Sequence, residues 1–181
     1  MASTEREELL RAIDRAFPRE PIAGAGAFRD WGRSYPDAGE YAAQLDGKTW
    51  DQLDRAYLLR RDDALGFLGT QELVAVLPVY LRALVEDGAG IPAADMLMIV
   101  LKRPGTNDDP DLGRARFGAL VDALTDAQKG VIARVLAGFV DRHAGGSPGE
   151  RARVTLDSYW RDYLPIVTDE RPDGTQREGD T

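Results

Sequence analysis

TQELVAVLPVYLRALVED, residues 70–87, decides the fold class of this chain. Leu73, Leu77, Leu81, Leu84 and Val85 recur at helical spacing, and Val74, Val76, Val79 and Tyr80 fill most of the other faces. A helix that is apolar nearly all round belongs inside a core, and with Pro78 interrupting it this one makes a poor membrane span. Thr70 is the expected N-cap, with Gln71 and Glu72 at the positive end of the helix dipole. Pro78 lacks an N–H and crowds the carbonyl of Val74, so a kink is expected there. Gly88 and Gly90 supply the stop.

The flanks are also helical. Four pairs have capping-box spacing: Thr4/Glu7, Asp37/Glu40, Thr49/Gln52 and Thr125/Gln128. Behind the first, Leu9, Leu10, Ile13, Ala16 and Phe17 make an amphipathic stripe that Pro18 and Pro21 end. The second opens a short helix closing near Gly47. The third opens a helix with Trp50, Leu53, Tyr57 and Leu58 on one face. Behind the fourth, Val131, Ile132, Val135, Leu136, Phe139 and Val140 form the best amphipathic pattern in the chain. Leu112, Phe117, Leu120, Val121 and Leu124 predict one more helix, and Val154, Leu156, Tyr159, Trp160, Tyr163 and Leu164 a last one ending at Pro165. The apolar run Met96–Leu101 is too short for periodicity to separate strand from helix; its methionines and leucines, and the lack of a strand partner, favour helix. The expectation is an all-α, single-domain helical bundle of about seven or eight helices around a Pro-kinked central helix.

Residues 1–167 read as that domain. Residues 168–181, acidic and almost free of apolar side chains, read as a disordered tail. Between Pro21 and Pro36 a glycine-containing loop carries Phe28, Trp31 and Tyr35, read as a lid on the core's edge, with an exposed binding cluster as the alternative. Arg60, Arg61, Asp62 and Asp63 read as a solvated turn.

A formal charge of −8 argues against nucleic acid and anionic lipid as partners and is compatible with a basic protein surface. The chain has no cysteine, which rules out disulfides, thiolate metal sites and cysteine nucleophiles. Polar ASTEREE after Met1 carries no signal-peptide pattern, so a cytoplasmic location is expected. His143, the only histidine, cannot build a histidine-based zinc site and reads as a cation at a helix C-terminus. Gly24-Ala25-Gly26 lacks the remaining residues of a nucleotide-binding loop. Asn107, Asp108, Asp109 and Asp111 resemble a calcium loop in composition, but the glycine and glutamate of an EF-hand are missing. Asp62/Asp63 and Glu86/Asp87 are adjacent carboxylates that point apart on a turn or helix and imply no acid–base pair. No catalytic, cofactor or metal set is expected. Asp108, Asp109 and Asp111 are the expected contact residues for a basic partner.

Three segments carry a family resemblance: GKTWDQL, DALGFLGTQELVAVLPVYL and FGALVDALTDAQKGVIARVLAGFV. Trp50, Leu53, Phe67, Leu68, Leu77, Pro78, Tyr80, Leu81, Leu124, Thr125 and Gln128 stand in the order and spacing of an uncharacterised bacterial domain family of unknown function, over about residues 47 to 140. The tail has no counterpart in that pattern. The resemblance implies a helical fold and no mechanism; its members look like the small acidic proteins encoded beside toxins. Three functional readings follow. The first is a non-enzymatic protein-binding module, such as an immunity or inhibitor-type protein. The second is a self-associating accessory protein, and the third a carboxylate-dependent enzyme.

Overall fold

The structure is a computed structural model and describes residues 3–23, 37–88, 93–105 and 112–165. These residues form a single all-α domain of eight α-helices. In chain order they are α1 (Ser3–Ala16), α2 (Ala38–Leu45), α3 (Arg55–Arg60), α4 (Thr70–Glu86), α5 (Ala93–Leu101), α6 (Leu112–Ala123), α7 (Asp126–Arg142) and α8 (Ser147–Ser158). Three 3-10 turns, Trp50–Gln52, Asp62–Gly66 and Trp160–Tyr163, join or extend them. The only β pairing among the described residues is an isolated parallel bridge between Ile22 and Asp46. The Met96–Leu101 run lies in α5, as its composition predicts.

The stretch at 70–87 is the central helix. α4 packs against α1, α5, α6 and α7, and Leu73, Val76, Leu77, Tyr80, Leu81, Ala83 and Leu84 are wholly buried. It runs unbroken through a buried Pro78. The interior is close-packed, so its polar atoms need partners. The Tyr80 hydroxyl donates to the Leu58 carbonyl (3.1 Å), the Trp50 indole N–H to the Phe17 carbonyl (3.2 Å) and the Arg142 guanidinium to the Leu84 carbonyl (2.9 Å). Those three bonds tie α3, the 50–52 turn and α7 to the central helix or its neighbour α1. After the Asp87 C-cap of α4 comes Gly88, whose φ of +73° is a left-handed value that a side chain resists.

The capping expectations divide. Thr125 and Gln128 form the full reciprocal box at the start of α7. Thr49 and Gln52 form one too, but it opens only a 3-10 turn. The chain straightens at Leu53, and Asp54 caps a separate α3 by accepting from the Tyr57 N–H (3.0 Å). Trp50 and Leu53 therefore do not share a helix with Tyr57 and Leu58. Thr4 lies inside α1, which already begins at Ser3. Gly69, not Thr70, is the N-cap of α4. Asp37 does precede α2, yet its carboxylate caps nothing; it pairs with Arg61, which draws part of the expected solvated turn into a tertiary contact. The last predicted helix is broken at Tyr159, where α8 gives way to the 160–163 turn. Gly90, the aromatic loop residues Phe28, Trp31 and Tyr35, and the tail 168–181 lie outside the described residues.

Candidate functional site

The C-terminal end of α5 is held by the last part of the domain. The Trp160 indole donates to the Leu101 carbonyl (2.7 Å), the Thr155 hydroxyl to the Met98 carbonyl (3.3 Å), and the Arg103 N–H to the Ser158 hydroxyl (3.1 Å). The Leu101 carbonyl, which the helix end leaves without an intrahelical partner, is thereby satisfied, the Met98 carbonyl accepts from Thr155 as well as from the Lys102 N–H, and the segment Lys102–Gly105 is fixed in place. Gly113 lets α6 approach that segment closely, since a Cβ there would lie 3.3 Å from Pro104 Cγ. The opening between them is an aromatic-walled groove of about 610 Å³, lined by Arg103, Pro104, Arg114, Phe117, Val121 and Tyr159. A second cleft of about 340 Å³ shares Pro104 and Phe117 and extends to Ile99 and Lys102.

The rings of the groove wall brace one another. Phe117 meets Tyr159 edge-on at 5.3 Å, and Tyr159 meets Trp160 in the same way at 5.1 Å. The Tyr159 and Tyr163 hydroxyls are 2.8 Å apart. Burial, that hydrogen bond and the Asp122 and Asp126 carboxylates push the Tyr159 phenol up to about 12, so it remains a neutral donor. At the other end Lys102, Arg103 and Arg114 are exposed and form no ion pair among the described residues. Ile99, on α5, is 66% exposed, more than any other large apolar side chain among the described residues. A braced aromatic wall, cations without an ion pair among the described residues and an exposed aliphatic side chain thus occupy one face. Chemically this arrangement can bind and orient; it contains no nucleophile–base pair.

Around the α1–α3–α4 cleft the guanidiniums are paired with carboxylates. Arg55 pairs with Glu86 and Asp87, Arg82 with Asp14 and Glu86, and Arg19 with Asp51 (2.8 Å) around a cleft of about 280 Å³. The Thr49 hydroxyl, backbone and Arg19 hold the Asp51 carboxyl below its usual range. Glu86 and Asp87, expected to point apart, are brought to one guanidinium. This cluster clamps α1, α3 and α4, and its carboxylates outnumber its guanidiniums, so it presents no free cation. A cleft of about 250 Å³ between residues 17–23, Trp50 and the start of α4 opens where the described chain stops at Ala23. Among the described residues no three histidine, cysteine or acidic groups converge as a metal site, and no helix is long and apolar enough to cross a membrane. Asp108, Asp109 and Asp111 lie outside the described residues.

His143 departs from expectation. It does occupy the C-cap of α7, but its ring packs on Phe139 at 4.4 Å and its Nε2 is buried without a hydrogen-bond partner. Burial, with Arg142 beside it, lowers its pKa, so the ring is a neutral packing group rather than a dipole-paired cation. The unfolded chain then binds a proton more readily than the folded one. Stability from this group is fully present above the ordinary histidine pKa near 6.5 and declines as pH falls from there towards the depressed folded value. Urea unfolding at neutral and mildly acidic pH should show this slope, and His143→Gln should remove it, since there is no other histidine. An unchanged slope in the variant would exclude His143 as its source.

No family model, curated protein or solved structure matches the chain.

Sequence reasoning missed the groove. Lys102, Arg103, Arg114 and Arg116 do cluster on both sides of the acidic 106–111 segment, and that local basic enrichment in an acidic chain was the available signal. What the sequence does not carry is the arrival of Tyr159 beside Phe117 from more than forty positions away.

Proposed function

We propose that the protein is a non-enzymatic, cytoplasmic protein-binding module, of the kind an immunity or inhibitor-type protein represents. One observation supports this reading above the others: the groove beside α5 and α6 leaves Ile99 and the cations Lys102, Arg103 and Arg114 open on the same face. Exposed aliphatic groups beside unmatched charge are what a complementary protein surface covers. The family resemblance over residues 47 to 140 is consistent with such a role.

Ile99→Asp tests it. With most of its side chain in water, Ile99 contributes little to folding, so the unfolding free energy should move by no more than the ~0.5 kcal/mol typical of surface changes. Capture of a partner from lysate of the source organism should be lost with the variant and retained with the wild type. A partner captured equally by both would place the contact elsewhere. Turnover of a small substrate by the wild type would remove the reading altogether.

A further inference from the structure

We infer that the occupant of the α5–α6 groove is an acidic segment of a partner protein that presents an aromatic or aliphatic anchor between its carboxylates. The inference rests on the binding-module reading and specifies the partner's chemistry. It reverses the polarity expected from net charge alone.

Phe117, Val121, Pro104 and the Tyr159 ring provide a floor and wall suited to an apolar or aromatic side chain. Arg103 and Arg114 stand at one end with no carboxylate among the described residues, and Lys102 lies beside them in the adjoining cleft. Their guanidiniums suit bidentate contact with carboxylates. The start of α6 adds its positive dipole end to the same side. Along α6 the sign then changes: Asp122 is eight residues beyond Arg114, roughly 12 Å by helical rise. The groove is therefore polar along its length, cationic where Lys102–Gly105 meets α6 and anionic past Tyr159. An acidic segment enters in one direction, with its carboxylates at the Arg103–Arg114 end and its anchor against Phe117. In the α1–α3–α4 cleft the carboxylates Asp14, Glu86 and Asp87 outnumber the guanidiniums of Arg55 and Arg82, so that cleft does not compete for an acidic segment.

The test uses the full chain and three fluorescein-labelled synthetic peptides: one of Asp and Glu around Phe and Leu, the same peptide with Asn and Gln, and the same peptide with Lys and Arg. By fluorescence anisotropy the acidic peptide should saturate, bind more tightly than the amide peptide, and weaken as salt is raised. Arg103→Glu with Arg114→Glu should weaken it about tenfold or more, since each carboxylate contact is charge-assisted. Both residues are exposed, so the double variant should keep its circular dichroism spectrum and melting temperature. Tighter binding of the basic peptide, no saturation by the acidic one, or an affinity unmoved by the double reversal would overturn the inference. A concentration-dependent dimer that Ile99→Asp disperses would overturn it too, by giving the groove to a second copy. Failure here and failure of the binding-module reading are separable. An Ile99-dependent partner alongside a groove that rejects the acidic peptide refutes only the proposed chemistry.

Discussion

Trp160→Ala should destabilise the domain by roughly 4–6 kcal/mol, the sum of a large-to-small core deletion and an orphaned carbonyl. The side chain is fully buried, touches Phe117 and Tyr159, and donates its indole N–H to Leu101 at 2.7 Å. Alanine would leave a cavity between α5, α6 and the 160–163 turn and an unpaired acceptor at the end of α5. A domain of this size has a total stability of about 5–15 kcal/mol, so the variant should be partly unfolded or nearly so. Trp160→Phe keeps most of the ring and removes only the donor, for a smaller loss of roughly 1–3 kcal/mol. Urea unfolding of both variants measures the difference. A Trp160→Ala protein within about 1 kcal/mol of wild type would mean that the site collapses and α5 finds another cap.

The second large effect is steric. Gly149, buried in the first turn of α8, has no room for a side chain: an added Cβ would lie 2.2 Å from the His143 carbonyl oxygen and 2.7 Å from its carbon. That oxygen also accepts from the Gly146 N–H (3.1 Å), so the obstacle is backbone already fixed by the α7–α8 turn. Gly149→Ala must push α8 away from α7, and a loss of about 2–4 kcal/mol is expected, at the upper end of overpacking effects. Gly118→Ala is the opposite case. Within α6 a Cβ at Gly118 meets nothing within 4 Å, and replacing glycine in a helix interior should gain about 0.5–1 kcal/mol. Thermal unfolding should therefore move in opposite directions for two chemically identical substitutions. A neutral Gly149→Ala would show that the α7–α8 turn yields easily.

How far the sequence was legible depends on the range of the interaction involved. α4 was readable because its apolar side chains surround the helix, and α7 because Thr125 and Gln128 close their box within four residues. Thr49 and Gln52 satisfy the same local rule and still do not start an α-helix, because Asp54 offers a competing cap that restarts the chain after Leu53. Asp37 was misread for a related reason: Arg61, distant in sequence, competes for its carboxylate. His143 has the position of a dipole-stabilising cation, but packing on Phe139 and Gly88 overrides that local preference. The groove depended wholly on tertiary placement. Its residues come from the end of α5, one face of α6 and Tyr159, and no local pattern joins them.

The clasp on α5 also has a consequence for how the chain is made. Arg103 meets its partner Ser158 across 55 positions, and Leu101 meets Trp160 across 59. During synthesis at about 5–20 residues per second, the Met96–Leu101 run exists for roughly 3–12 s before its covering residues have been added. For that interval an almost wholly apolar segment has no lid from α8. A nascent chain stalled before Trp160 should accordingly be the form most readily engaged by chaperones, and one stalled well after it should be released.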